Sequence, residues 1–124
     1  MTEHEIQSEF IRLVEESHPD ILFCATVGGA RMSISEAKKI KRSGYRKGIP
    51  DVIFYEPRHG HHGLCIEIKK KGGRVSPHQR EWLNDLQIRG FHALLCTGLE
   101  ACVQAFNDYF GASLILHSSD TQTS

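Results

Sequence analysis

The sequence predicts an α/β domain in which a mixed central sheet is flanked by helices, with elements in the order α-β-α-β-β-α-β-α. Stretches with apolar residues at helical spacing alternate with shorter apolar stretches that Gly, Pro or polar clusters bound. A helical pattern separates the strand-like residues 64–70 from residues 91–96. Such a connection is typical of a crossover between parallel strands, and helices packed on a sheet suit this order.

The first two elements are a helix and a short strand. Thr2 and Glu5 have the spacing of a capping box. Apolar residues then recur at helical spacing, which predicts a helix over residues 3–17. The apolar residues 21–27 predict a strand, and Gly28-Gly29 ends it.

A short basic helix and a second strand follow. Ser35 is the predicted N-cap of a helix over residues 35–43, and Gly44 ends that helix. Pro50 opens the next strand, which we expect over residues 51–55.

The remaining elements complete the crossover. Residues 57–63 are rich in His and Gly and predict a hairpin loop before the strand 64–70. Ser76-Pro77 pairs an N-cap with Pro at the first helical position, so a helix should run to about Arg89. A strand over residues 91–96 comes next. The last helix is amphipathic, with an apolar face formed by Leu99, Cys102, Val103, Phe106 and Phe110.

One domain accounts for the 124 residues of the chain. A hydrophobic content of 40% with a net charge of zero excludes disorder as the main state. We expect the domain over residues 1–116 and a polar, disordered tail over residues 117–124. No apolar stretch approaches the about 20 residues of a membrane span, and the acidic N-terminus does not fit a signal peptide.

Metal sites built from cysteine or histidine are not expected. The four cysteines lack C-x-x-C spacing, which favours reduced residues of an intracellular protein over a zinc site or a disulfide framework. His59, His61 and His62 are interpreted as a solvated hairpin tip. The cysteines lie mostly in apolar stretches, at positions Cys24, Cys65, Cys96 and Cys102.

The neutral net charge conceals a strong segregation of charge along the chain. Residues 31–50 contain seven basic residues and one acidic residue, and residues 69–80 contain five basic residues and no acidic one. The acidic residues concentrate in residues 1–20 and 81–124. Two basic segments favour a polyanionic partner, although each could also be an ordinary solvated surface.

A carboxylate cluster is expected between the two basic segments. Glu67 and Lys69 project from the same face of their strand, because side chains alternate between faces. The hairpin would bring Asp51 close to Glu67. Two carboxylates bind a hard cation such as Mg²⁺ or Mn²⁺, and a lysine beside them can orient an attacking water. The plainer alternative is that Glu67 and Lys69 form a partly exposed pair on an edge strand.

The motifs Pro50-Asp51 and Glu67-Ile68-Lys69 have the form of the PD-(D/E)XK nuclease signature. With its surroundings, the chain resembles the VRR-NUC family of virus-type replication and repair nucleases, especially small stand-alone phage and bacterial members. The resemblance covers about residues 3–110. The segments that carry it are residues 47–52, 63–69 and 72–83.

This resemblance implies a restriction-endonuclease-like fold and metal-dependent hydrolysis of phosphodiester bonds in DNA. It implies that Asp51 and Glu67 are ligands of Mg²⁺ or Mn²⁺, with the backbone carbonyl of Ile68 as a third ligand. Lys69 would be the catalytic lysine.

Two further site residues are implied by the same family. Its members carry a glutamate on the first helix, four residues before a glutamine, which matches Glu3 and Gln7 and makes Glu3 a metal ligand. Glu5 is the competing choice, although its place in the capping box already explains it. Gln79 matches the family's glutamine and would lie close to the metal or the scissile phosphate.

The resemblance also implies partners and a setting. Stand-alone relatives resemble homodimers that act on branched DNA such as four-way junctions, with the last or first helix as the expected interface. A phage- or prophage-encoded protein in the bacterial cytoplasm, acting in replication, recombination or repair, would follow. The expected DNA phosphate contacts are Arg31, Lys38, Lys39, Lys41, Arg42, Arg46, Lys47, Lys70, Lys71 and Arg74.

Two other classes of function stay open from the residues alone. One is a DNA-binding module without cleavage, for which the trio of Asp51, Glu67 and Lys69 has no purpose. The other is a structural α/β protein of a phage particle.

Trp82 is interpreted as a core residue rather than a base-stacking platform, because two leucines share its helix face.

Overall fold

The computed structural model describes residues 1–26 and 33–116, and it confirms the α/β class and the predicted order of elements. Gly28-Gly29, Arg31 and the tail 117–124 lie outside the described residues, so their expected roles stay predictions. The elements are α1 (Glu3–Ser17), β1 (Phe23–Ala25), α2 (Ile34–Arg42), β2 (Val52–Phe54), β3 (Leu64–Lys69), α3 (Pro77–Ile88), β4 (His92–Thr97) and α4 (Leu99–Phe110).

The helix starts follow from side-chain caps, with one correction. The capping box of Thr2 and Glu5 is present on α1. The N-cap of α2 is Ser33 and not Ser35, because the Ser33 hydroxyl accepts a hydrogen bond from the Glu36 amide at 3.1 Å. The same hydroxyl lies 3.0 Å from the Glu36 carboxylate, so Ser33 makes both of the contacts with Glu36 that cap the helix.

The described strands form one mixed sheet in the order β1-β2-β3-β4. β1 pairs with β2, and β2 with β3, in antiparallel fashion, whereas β3 and β4 are parallel as the crossover predicts. β2 is shorter than the predicted strand 51–55. It starts at Val52, and before it the Ile68 amide donates to the Asp51 side chain at 2.7 Å rather than to the backbone of β2.

β3 contains both Glu67 and Lys69, and every one of its residues is buried. On one face, Leu64, Ile66 and Ile68 join the large core with α1 and α4. On the other face, Cys65 packs with Leu83 of α3 in a smaller cluster. The alternation that the sequence predicts is therefore present, but β3 is covered on both faces and is not an edge strand.

The four cysteines are free, as expected, and Cys24 alone among them is exposed. None of the helices in the described part of the chain is long and apolar enough to cross a membrane. α2 differs from the other helices because none of its residues is buried. It lies on the surface as a basic helix.

Candidate active site

The end of β2 and the middle of β3 bring two carboxylates together. Val52 pairs with Ile66, so the next position outward sets Asp51 opposite Glu67. The backbone around Asp51 is fixed by Thr26, whose amide donates to the Asp51 carbonyl at 2.9 Å and whose hydroxyl donates to the Pro50 carbonyl at 2.7 Å. Together with the Ile68 amide on Asp51 Oδ2, these bonds hold the carboxylate on the face of Glu67.

Glu67 is the most deeply buried charged residue described, with 2% of its surface exposed. Its Oε2 accepts a hydrogen bond from Gln79 Nε2 at 3.1 Å and lies 3.9 Å from Lys69 Nζ. Its Oε1 is buried without a hydrogen-bond partner among the described residues. An unsatisfied buried carboxylate oxygen is costly, which indicates that a ligand or a proton completes the site.

The electrostatics of the pair lead to the same conclusion. Burial raises the pKa of Glu67, and the neighbouring Asp51 charge and a hydrogen bond with Asp51 raise it further. The pKa of Asp51 is also raised, chiefly by burial. The Lys69 ammonium opposes both changes without cancelling them. The two carboxyl groups therefore resist being ionised together unless a cation lies between them.

This donor set fits a hard divalent cation. Two carboxylates that repel each other, one with an unpartnered buried oxygen, are the oxygen ligands that Mg²⁺ and Mn²⁺ prefer. Within residues 1–26 and 33–116, no three His, Cys, Asp or Glu side chains converge as a complete metal cage. That is compatible with Mg²⁺, which usually keeps several waters and takes one or two carboxylates.

Glu3 lies at the edge of this pair. Its Oε2 accepts a hydrogen bond from the Lys70 amide at 3.2 Å, immediately after β3. Its negative charge contributes to the raised pKa values of Asp51 and Glu67. Glu5, in contrast, is exposed, and its carboxylate accepts the Thr2 amide at 2.9 Å. The geometry therefore favours Glu3 over Glu5, while metal ligation by Glu3 stays a prediction.

Gln79 and Lys69 complete the polar cluster. Gln79 Oε1 accepts the Ser76 amide at 2.9 Å in a second capping box, while its Nε2 donates to Glu67. One amide thus starts α3 and orients a carboxylate. Lys69 is 8% exposed and projects from the same face as Glu67. Nothing in the contacts tests the Ile68 carbonyl as a ligand; the Ile68 amide is the group that binds Asp51.

Apart from Lys69, the described basic residues of both segments lie on the surface. Lys70, Lys71 and Arg74 are exposed just after β3. The described residues of the first basic segment are also exposed, namely Lys38, Lys39, Lys41, Arg42, Arg46 and Lys47. Both segments therefore offer positive charge to a polyanion, and Arg31 lies outside the described residues.

Trp82 is not a core residue, contrary to the sequence interpretation. It is half-buried and belongs to neither apolar cluster, whereas Leu83 and Leu86 reach the smaller one. The reason is its indole N–H, which donates to the Lys47 carbonyl at 3.0 Å and keeps the ring at the surface. The ring lines a cleft of about 850 Å³ between α2 and α3.

Sequence reasoning missed the residues that hold the site in place. Thr26 anchors Asp51, and no sequence signal marked it. Gly48 has a φ of +98°, and a Cβ there would lie 2.6 Å from the His78 carbonyl carbon. Only glycine suits that position, which packs the segment before Asp51 against α3. The Ser76-x-x-Gln79 spacing was a readable signal for the second capping box.

Comparison with known proteins identifies the family. The family model of the VRR-NUC domain matches residues 1–100. A solved structure of a VRR_NUC domain protein is 27% identical, with a TM-score of 0.78, over 90% of this chain and 89% of that chain. No curated protein matches. Because the family model spans most of the chain, this protein belongs to the VRR-NUC family and carries a nuclease domain.

Proposed function

We propose that this protein is a Mg²⁺- or Mn²⁺-dependent, structure-specific DNA endonuclease. The observation that carries the proposal is the pairing of half-buried Asp51 with buried Glu67 beside Lys69, with one Glu67 oxygen unpartnered among the described residues. A module that only binds DNA gains nothing from holding two mutually repelling carboxylates together away from solvent. The nuclease family supplies DNA as the substrate class.

The described residues divide the chemistry between them. Asp51 and Glu67 would hold the cation, which would lower the pKa of water and withdraw charge from a phosphate. Gln79 fixes the orientation of Glu67 through its 3.1 Å hydrogen bond. The Lys69 ammonium, buried 3.9 Å from Glu67, orients the attacking water and stabilises the negative charge that develops on the phosphate.

Glu3 has a supporting place in this proposal. Its hydrogen bond to the Lys70 amide anchors the start of α1 at the end of β3. We propose that it would add a third negative group beside Asp51 and Glu67 for the cation. The exposed lysines and arginines of α2 and of residues 70–74 would hold the DNA backbone without reading its sequence.

Branched DNA and a homodimer belong to the same proposal. Two copies would supply two active sites for two strands related by a two-fold axis. The buried apolar residues of α1 and α4 pack into the core, so an interface on either helix, as the sequence suggested, would use the residues outside that core. Light scattering coupled to gel filtration measures the oligomeric state directly.

A phage or prophage setting rests on the family resemblance.

Cleavage of labelled DNA tests the proposal. Supercoiled, linear, flapped and four-way-junction substrates are incubated with Mg²⁺, Mn²⁺ or EDTA, using the wild type, Lys69→Ala and the exposed-site control Asp20→Asn. We expect cutting that requires the metal, is lost in Lys69→Ala and is retained in the control. Binding without cutting under every condition would instead favour a DNA-binding module.

A further inference from the structure

The cleft between α2 and α3 combines aromatic and basic walls. It has a volume of about 850 Å³, within the range of roughly 300–1,000 Å³ that ligand pockets span. Tyr45 and Trp82 contribute aromatic surface, and Lys41, Arg46 and Lys47 contribute positive charge. Aromatic side chains between basic ones are the composition that binds unpaired nucleic acid strands.

Trp82 presents its ring rather than a polar group to this cleft. The indole N–H is the only hydrogen-bond donor of a tryptophan side chain, and it already donates to the Lys47 carbonyl at 3.0 Å. The rest of the half-buried ring lines the cleft. A ring held in this way can offer stacking at little entropic cost.

Two short segments of the chain connect the cleft to the carboxylate cluster. On α3, Gln79 contacts Glu67 and Trp82 follows three residues later, about 4.5 Å further along the helix axis. In the preceding segment, Lys47 lies four residues before Asp51. A strand that crosses the carboxylates can therefore continue into the cleft.

The charges in the cleft suit a nucleotide better than a duplex backbone alone. Lys41, Arg46 and Lys47 can contact phosphates. The α3 wall also carries Glu81 and Asp85, whose carboxylates repel phosphates but can accept hydrogen bonds from the amino groups of bases. Asp85 is partly neutralised by Arg89, 3.9 Å away.

We propose that this cleft binds an unpaired nucleotide next to the cleavage point, with its base stacked on Trp82. The inference rests on the proposed DNA nuclease function and gives it a source of structural selectivity. In a continuous duplex the bases stack on each other and cannot enter the cleft. A fork or flap already contains an unpaired base, so no base pair has to be broken before the base enters the cleft.

Fluorescence tests the stacking step directly, because Trp82 is the only tryptophan of the chain. The full-length protein is titrated in EDTA with a forked oligonucleotide and with a blunt duplex of the same length. We expect the forked DNA to quench Trp82 and the duplex to leave its emission nearly unchanged. Equal quenching by both, or by neither, would overturn the proposal.

Variants separate stacking from a structural role. In fluorescence-anisotropy titrations with labelled DNA, we expect Trp82→Ala to weaken forked binding about tenfold and duplex binding by less than twofold. Trp82→Phe keeps a ring without the N–H and should stay within about threefold of the wild type. Ile88→Ala is the matched control, since Ile88 lies on the same helix, is 79% exposed and does not line the cleft.

The outcomes also distinguish this inference from the proposed function. If Trp82→Ala weakens forked and duplex binding equally, or Trp82→Phe fails as badly as Trp82→Ala, the residue only holds Lys47 and the inference is wrong. If the wild type is quenched selectively by forked DNA yet cuts no DNA with Mg²⁺ or Mn²⁺, the cleft binds as proposed and the nuclease proposal fails.

Discussion

The two faces of β3 are equally inaccessible to solvent but chemically opposite. Leu64, Ile66 and Ile68 lie on one face against the apolar surfaces of α1 and α4. On the other face, Glu67 and Lys69 are 2% and 8% exposed beside the smaller α3 cluster. Burial of the first face stabilises the folded state because apolar area leaves water. Burial of the second face destabilises it because charges leave water.

Because the two faces differ in this way, the residues that stabilise the fold can be changed separately from the residues that carry the chemistry. The apolar face needs only volume and shape, and it tolerates conservative changes. The charged face is satisfied in part by Gln79 and Ile68, but no group in the described part of the chain partners Glu67 Oε1. Changes on one face should therefore affect stability, and changes on the other should affect activity.

The largest expected effect is on activity, from Asp51→Asn. The asparagine oxygen can still accept the Ile68 amide, so the chain should fold, but the charge proposed to hold a cation is lost. We expect cleavage to fall by about 10³-fold, since such metal interactions supply several kcal/mol. Single-turnover cleavage assays measure it beside thermal unfolding of the same samples. Retention of metal-dependent cutting would contradict the assignment of Asp51.

The opposite face should respond in stability. Phe54 is fully buried, with ring centroids 5.6 Å from Phe106 and 6.1 Å from Phe10. We expect Phe54→Ala to lower the free energy of unfolding by about 3–5 kcal/mol. Urea unfolding followed by circular dichroism measures the loss. Tyr55→Ala is the matched control, because that neighbouring side chain is 50% exposed.

A substitution on the charged face should separate stability from activity most sharply. Glu67→Gln removes a buried carboxylate whose pKa is raised by burial and by the neighbouring Asp51 charge. We expect the metal-free variant to be as stable as the wild type or up to about 1 kcal/mol more stable, yet inactive. Thermal unfolding in EDTA and with Mg²⁺ measures this. Mg²⁺ should raise the Tm of the wild type and leave the variant unchanged.

Much of the fold could be predicted because its signals are local. The capping boxes, the glycine breaks and the alternation along β3 each depend on a few adjacent residues. The N-cap of α2 was misplaced by two residues because Ser33 and Ser35 are both acceptable caps, and only the contact with Glu36 separates them. The lengths of β1 and β2 depended on partners elsewhere in the chain.

The site was predictable in its members but not in its supports. Asp51, Glu67 and Lys69 were found because the hairpin and the two-residue alternation place them on one face. Thr26 and the packing of Gly48 on His78 were missed, because they depend on long-range contacts that no local pattern encodes. Trp82 was misassigned for a similar reason, since its helix position suits the core while its N–H is satisfied by Lys47.

The smallest expected effect comes from a titratable group at the rim of the apolar face. His92 stacks between His61, with ring centroids 4.9 Å apart, and Tyr109, at 6.0 Å. Burial lowers the pKa of His92, and the charges of His61 and His59 lower it further. Its neutral form is therefore favoured in the folded state, while the unfolded chain takes up the proton more readily.

The contribution of His92 to stability should consequently fall as pH drops from the ordinary histidine pKa of 6.5 through the lower folded value. The raised pKa values of Asp51 and Glu67 act in the opposite direction, so the His92 contribution is read from the difference between variants. The effect should be smaller than about 1 kcal/mol, because solvent screens the partly exposed ring. Thermal unfolding between pH 7 and about pH 5 measures it in the wild type, in His92→Gln and in the exposed-site control His4→Gln. Relative to the wild type, His92→Gln should lose less stability as pH falls, and His4→Gln should match the wild type. Identical profiles for all three would mean that the apolar face of the sheet does not respond to charge at its rim, and that only the α3 face is electrostatically sensitive.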